Sequence, residues 1–136
     1  VKAELKQSLN ERRDPRGALV AIEAGADIPF AIKRVYYIYD TKGSEPRGFH
    51  AHRSLWQFAV CLNGACRMVM NDGSSHQDII MDHPNFGVLV PPMVWHEMHD
   101  FVDGTVLMVL ASEHYEESDY IRDRAIFESE SKELRL

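Results

Sequence analysis

Long apolar runs are missing from this chain of 136 residues. Nothing in it approaches the roughly 18 consecutive apolar residues that a membrane-crossing helix requires. The charged start Val1-Lys2-Ala3-Glu4-Leu5-Lys6 lacks the apolar centre of a secretion signal. Both absences point to the cytoplasm. Positive charge is scarce too: 15 Lys and Arg stand against 21 Asp and Glu, for a formal charge of −6 and a pI near 5.6. That balance argues against nucleic acid or a membrane surface as a general partner. A phosphate-bearing ligand must therefore meet a local basic cluster. Cysteine is limited to Cys61 and Cys66, which flank Leu62-Asn63-Gly64-Ala65 and would face each other across a hairpin if Asn63-Gly64 is a two-residue turn. A bridge is geometrically conceivable, but a reducing compartment and the use of buried cysteine as a small hydrophobe favour free thiols. There is no internal repeat and no low-complexity tract, and the length suits one domain with a core of its own.

What is present, from Leu19-Val20-Ala21-Ile22 onward, is a series of short segments rich in β-branched and aromatic residues separated by turn signals. The turns fall at Glu23-Ala24-Gly25, Lys42-Gly43-Ser44, Asn63-Gly64, Asn71-Asp72-Gly73 and Asp82-His83-Pro84-Asn85. Strands are expected at roughly 28–40, 47–52, 55–62, 66–70, 77–81, 86–90, 94–98 and 105–111. This pattern predicts an all-β barrel or sandwich. Residues 1 to about 13 are polar and lean toward helix. The segment Glu117 to Arg124 places acidic before basic residues in a helix-like order and is expected to pack outside the barrel, and the charged tail after Phe127 is expected to fray. The chain divides into a polar extension, 1–15, a β domain, 16–128, and a charged tail, 129–136.

Two histidines separated by one residue, in Arg47-Gly48-Phe49-His50-Ala51-His52, would point to the same side of a strand. Such a pair binds a metal or moves protons; on an edge strand it is often no more than surface. Gln57 follows, then Gly64, and later Pro91-Pro92-Met93-Val94-Trp95-His96. This spacing resembles the two motifs of the metal-binding cupins, in which a glutamate stands where Gln57 is and a glycine where Met93 is. Replacing an anionic oxygen ligand by a neutral amide should lower affinity for a hard cation. Three histidines can still hold zinc or copper, but a barrel without metal or other cofactor is the favoured reading.

From Arg16 to about Phe127 the chain resembles the sugar-nucleotide 3,4-ketoisomerases of the cupin superfamily. The resemblance is carried by Ile28-Pro29-Phe30, Ile32-Lys33-Arg34-Val35-Tyr36-Tyr37, Arg47 to His52, Val94 to Phe101 and Asp119-Tyr120-Ile121-Arg122. It implies an all-β cupin, a double-stranded β-helix or jelly-roll-like barrel, with short terminal helical segments. The implied activity moves the ketone of a dTDP-4-keto-6-deoxyglucose from carbon 4 to carbon 3 without a metal, toward 3-amino-3,6-dideoxy sugars of surface polysaccharides. The implied assembly is a homodimer that exchanges N-terminal strands. In some relatives such a domain is fused to an acyltransferase, and a start at Val1 is compatible with a processed start or a piece of a longer protein.

Relocating a ketone requires one base near neutral pKa, and histidine needs no tuning for that role. The family pattern gives it to His50, with His52 orienting it, donating to the enediolate oxygen or relaying a proton. His96 and Gln57 are expected to shape the substrate pocket, although Gln57 serves equally well as a satisfied core amide. Diphosphate needs guanidinium groups. Of Arg16, Arg34 and Arg47, Arg47 lies nearest the cavity mouth, while Arg34 reads as a solvated surface charge. Arg16 with His96 matches the members that leave the galacto product, a 3-keto-6-deoxygalactose. Tyr36, sharing parity with Arg34, is expected to line the cavity, and Tyr37 to face outward. Trp56, Phe58, Val60 and Leu62 form an apolar face opposite Gln57, Ala59 and Cys61, suited to a second sheet or a subunit seam. Competing readings are an epimerase of the related metal-free cupins, a metal-dependent cupin oxygenase, and a cupin that binds sugar without turning it over.

Overall fold

The computed structural model describes residues 4–42 and 45–135. Twelve strands and one helix follow in order: β1 (Lys6–Ser8), β2 (Glu11–Asp14), β3 (Gly17–Val20), β4 (Arg34–Ile38), β5 (Arg47–His52), β6 (Gln57–Asn63), β7 (Cys66–Asn71), β8 (His76–Met81), β9 (Phe86–Val90), β10 (Trp95–His99), β11 (Val106–Ala111), β12 (Tyr120–Ile121) and α1 (Arg124–Arg135). Two five-stranded antiparallel sheets, ordered β1-β9-β6-β11-β4 and β12-β5-β10-β7-β8, face each other, and β2-β3 forms a separate hairpin. This is the all-β cupin barrel expected.

The core follows from alternation. Along β6 the side chains of Ala59 and Cys61 enter the space between the sheets, where they meet Met68, Met70, Met81, Val88 and Leu107. Phe58 and Val60 point the other way and are buried with Ile28 and Leu110 on the outer face of the first sheet. Ile28, Phe30 and Ile32 were expected to begin a strand. They instead run as an irregular segment that covers this outer face, and the strand starts only at Arg34. Their apolar period reports burial, which does not by itself require pairing.

Further expectations are corrected. Asn63-Gly64 does not close a hairpin within one sheet: β6 pairs with β9 and β11, whereas β7 pairs with β8 and β10, so the turn carries the chain from one sheet to the other. Cys61 and Cys66 consequently meet inside the core as buried free thiols, and a hydrogen bond to Cys61, with burial, pushes the Cys66 thiol up. Of the polar start, residues 1–3 lie outside the described residues and the rest is not helical, since Lys6–Ser8 adds an edge strand to β9 and Glu11–Asp14 pairs with Gly17–Val20. Edge strands pair through backbone, which a polar sequence does not advertise.

The helix also lies later than its charge order suggested. Residues Glu117–Asp119 make a single 3₁₀ turn leading into β12, and α1 begins at Arg124. Asp123 sets that start by accepting from the backbone N–H groups of Ala125, at 2.8 Å, and Ile126, at 3.2 Å. The charged tail is therefore helix as far as Arg135. Phe127 is fully buried with Ala51, Trp95 and Ile121 on the outer face of the second sheet, and the Ser131 hydroxyl donates to the Asp72 carbonyl at 2.7 Å. Arg53 ties α1 to the end of β5 through a two-pronged bond to Glu130, at 2.8 and 3.0 Å.

Candidate active site

The strand that carries the histidine pair is irregular just before it. Gly48 and Phe49 both have positive φ, 91° and 62°, and the pairing with β10 slips by one residue between His96↔His50 and Glu97↔Gly48. Phe49 is thus the extra residue of a bulge, the device that re-aims side chains beside functional sites. A Cβ at position 48 would stand 2.9 Å from the His96 carbonyl, so glycine is required there by both conformation and contact. Beyond the bulge His50 and His52 face the barrel interior and Ala51 faces α1. The second motif joins the first through Met93, at the motif's glycine position with φ of 60°, whose N–H donates to the His52 carbonyl at 2.7 Å.

Three imidazoles result in one place. Ring centroids lie 4.9 Å apart for His50 and His52, 4.6 Å for His50 and His96, and 5.8 Å for His52 and His96. His52 and His96 are 3 and 4 % exposed, while His50 is only half-buried and is the ring a ligand reaches. His96 is held by a hydrogen bond between Nδ1 and the Val94 carbonyl, 3.1 Å, which assigns the proton to Nδ1 and leaves Nε2 as an acceptor. Both nitrogens of His52 and the Nδ1 of His50 are buried without a hydrogen-bond partner among the described residues. Burial, reinforced by the neighbouring His50, lowers both His52 and His96 to about 3, and burial also lowers His50. All three rings are neutral at pH 7.

From the facing sheet, Gln57 donates through Nε2 to the Tyr36 hydroxyl at 2.7 Å. Burial first, then the nearby Tyr120, push the Tyr36 phenol up to about 12, so it keeps its proton and has it free to give to a ligand. Gln57 is thus a satisfied amide, but it is satisfied by another cavity residue. Tyr37, as expected, faces out and is 64 % exposed. The donors gathered at the site are three neutral imidazoles, an amide and a phenol. No three His, Cys, Asp or Glu side chains among the described residues are grouped so that they could hold a metal ion.

The arginines sort differently from the expectation. Arg47 is exposed at the start of β5, close enough for its charge to bear on the Tyr36 hydroxyl. Arg34, read from sequence as a solvated charge, is half-buried: its guanidinium lies 5.3 Å from the Tyr36 ring and 5.7 Å from the Tyr115 ring, and its Nε is buried without a partner among the described residues. It lines a cleft of about 430 Å³ together with Ser54, Tyr115 and Tyr120. Arg16 does not join the histidines within one chain. It sits at the tip of the β2-β3 hairpin with a 90 % exposed side chain and bonds Asp14 at 2.6 Å.

Sequence reasoning missed Tyr120. Its ring packs edge-on against His52 at 4.3 Å and against His50 at 5.0 Å. The signal available was Asp119-Tyr120-Ile121-Arg122, an alternating fragment too short to read as a strand, yet it pairs with β5 in the register Tyr120↔His52.

A two-sheet barrel with neutral histidines from both motifs gathered inside it is a cupin equipped for proton transfer. Residues 3–132 match the family described as FdtA: WxcM-like, C-terminal, and the chain belongs to that family of cupin-type sugar-nucleotide 3,4-ketoisomerases. It is 57 % identical over 123 residues, 90 % of this chain and 88 % of the relative, to the TDP-4-oxo-6-deoxy-alpha-D-glucose-3,4-oxoisomerase of Aneurinibacillus thermoaerophilus. Among solved structures, the sugar 3,4-ketoisomerase QdtA of Thermoanaerobacterium thermosaccharolyticum, in complex with TDP, is 40 % identical with a TM-score of 0.92 over 96 % of each chain. A 3,4-ketoisomerase from Helicobacter canadensis is 43 % identical with a TM-score of 0.90, covering 93 % of this chain and 96 % of that one.

Proposed function

We propose that the protein is a cytoplasmic isomerase that moves the ketone of dTDP-4-keto-6-deoxy-D-glucose from carbon 4 to carbon 3, giving dTDP-3-keto-6-deoxy-D-galactose. The observation that carries the reading is His50: a neutral imidazole, reachable by a ligand, backed by two further neutral imidazoles and faced by a phenol that can donate. The relative at 57 % identity is named for this chemistry on a TDP-linked sugar, and the one at 40 % is a sugar 3,4-ketoisomerase in complex with TDP.

In this reading His50 takes the proton from carbon 3, and the electrons of that C–H bond form the C3–C4 double bond of an enediolate. The charge lands on the carbon-4 oxygen, where a neutral donor stabilises it without first needing a proton of its own. Tyr36 is such a donor. Tyr36 gives its proton to the carbon-4 oxygen and recovers one from the carbon-3 hydroxyl, the imidazolium of His50 returns its proton to carbon 4, and the buried His52 orients His50. The new ketone stands at carbon 3, and no oxidant or reductant is consumed. Gln57 holds Tyr36, and His96 backs His50. Arg47 and Arg34 are placed to meet the diphosphate, whose oxygens match guanidinium forks.

Arg16 enters this scheme through a partner. Among the described residues the β2-β3 hairpin pairs only with itself, and Val35, Tyr37 and Tyr39 leave an apolar stretch exposed at the β4 edge of the first sheet. A homodimer exchanging the N-terminal hairpins covers that stretch and delivers Arg16 to the neighbouring site. The galacto product rests on Arg16 acting with His96. Incubation with dTDP-4-keto-6-deoxyglucose, followed by 13C NMR, tests the reaction, since a ketone found only at carbon 4 refutes it.

A further inference from the structure

Hydrogen bonds fix the rotamers of the histidine pair only loosely, through a backbone contact of His50 with Gly48. His52 has no partner for either nitrogen and His50 none for Nδ1 among the described residues. A base held to within a fraction of an ångström needs something to hold it, and aromatic packing is what these rings have besides. Tyr120 meets His52 at 84° and 4.3 Å, and His50 at 60° and 5.0 Å, in edge-to-face contacts on both rings at once. The Arg122 guanidinium lies over the Tyr120 ring, 4.1 Å from its centre. Glu117 fixes that guanidinium with two hydrogen bonds of 2.9 Å and also accepts from the Tyr115 hydroxyl. Glu117, Arg122, Tyr120 and the histidine pair form a continuous column from the surface to the reacting centre.

We propose that Tyr120, clamped by the Arg122–Glu117 ion pair, is the positioning residue of the histidine pair, acting through its ring and not through its hydroxyl. The inference rests on the reading of His50 as the base and adds a residue to it. Its backbone placement supports the role: β12 is only two residues long, yet it pairs with β5 at His52 and Ala51, so the ring is delivered beside the imidazoles by main-chain register. The carbonyl of Tyr120 accepts from Arg53 at 3.2 Å, and Arg53 also binds Glu130, so α1 braces the same short strand from outside.

The test compares Tyr120→Phe, Tyr120→Leu and Arg122→Gln with the unmodified protein, each checked for an unchanged far-ultraviolet circular dichroism spectrum. Turnover is measured with dTDP-4-keto-6-deoxyglucose, and the imidazole C–H resonances of His50 and His52 are followed by NMR without substrate. The ring-only Phe variant is expected to keep at least about a third of kcat, whereas Leu loses about 30- to 100-fold in kcat with KM changed less than about threefold. Arg122→Gln falls between them. The ring current of Tyr120 is expected to shift the His50 and His52 signals, and Leu but not Phe removes that shift. A Leu variant that keeps kcat, a Phe variant as impaired as Leu, or imidazole signals that ignore the Leu substitution would each overturn the proposal. The NMR readout needs no turnover, so it stands even if the protein fails to isomerise this substrate.

Discussion

His50 and His96 are direct register partners across β5 and β10, and their rings meet nearly perpendicular, at 78° and 4.6 Å between centroids. Residues 46 positions apart in the chain are thereby placed side by side on one inner face of the barrel. The bulge at Phe49 is what puts Arg47, paired with Met98, and His50, paired with His96, on the same inner face, since without the extra residue they would fall on opposite faces of β5.

Replacing His50 by Asn removes the proposed base while keeping a polar side chain of similar bulk. The expected loss is about 10²- to 10⁴-fold in kcat, the usual worth of a positioned acid–base group, with the circular dichroism spectrum and binding of TDP unchanged. Retention of most turnover would move the base elsewhere.

The buried rings set an acid limit on stability. His52 and His96 titrate near 3 in the folded chain, so below the ordinary imidazole value of about 6.5 the unfolded chain takes up protons that the folded one refuses. Their contribution is fully present above about pH 6.5 and is lost as pH falls, by at most about 1.4 kcal/mol per pH unit for each ring. Urea midpoints measured at pH 7.5 and pH 5 are expected to fall markedly, and His96→Gln is expected to flatten the dependence. Equal midpoints would mean that the rings accept protons in place.

Tyr36 is predicted to stay a donor throughout the working range, since its phenol is pushed up to about 12. The rate profile should show no basic limb from this group below about pH 10. Tyr36→Phe also leaves the Gln57 amide without its acceptor, so kcat/KM is expected to drop about 10- to 100-fold and stability by about 1–3 kcal/mol. Steady-state kinetics and urea melts check both.

Arg16 is predicted to serve the partner's site. Subunits carrying His50→Asn and subunits carrying Arg16→Ala, each impaired alone, should recover about a quarter of native activity when unfolded and refolded together, because half of the random dimers hold one intact site of two. No recovery, with heterodimers demonstrated by native mass spectrometry, would exclude Arg16 from the partner's site.

Much of this was legible in the sequence because alternation and motif spacing report the inner faces directly. The strands bearing His50, His52, Gln57 and His96 stand within a residue or two of the expected positions, and Tyr36 and Tyr37 take the faces assigned to them. What was not legible depends on contacts between distant segments. Asn63-Gly64 specifies a turn but not which sheet the chain enters next, and Lys6–Ser8 pairs through backbone alone. Arg34 looked like a surface charge because nothing local shows that Tyr36 and Tyr115 enclose it. The helix was misplaced by a few residues because Asp119, which resembled part of a first turn, instead accepts from Ser54 and Leu55, while Asp123 provides the cap.

The claim at the centre is that neutral imidazoles move a proton between neighbouring sugar carbons. The most direct measurement is 13C NMR of dTDP-4-keto-6-deoxyglucose incubated with the protein in deuterated water. The predicted result is loss of the carbon-4 ketone signal, appearance of one at carbon 3, and coupling constants of a galacto ring. Deuterium entering at carbons 3 and 5 while the ketone stays at carbon 4 would make the protein an epimerase and contradict the account.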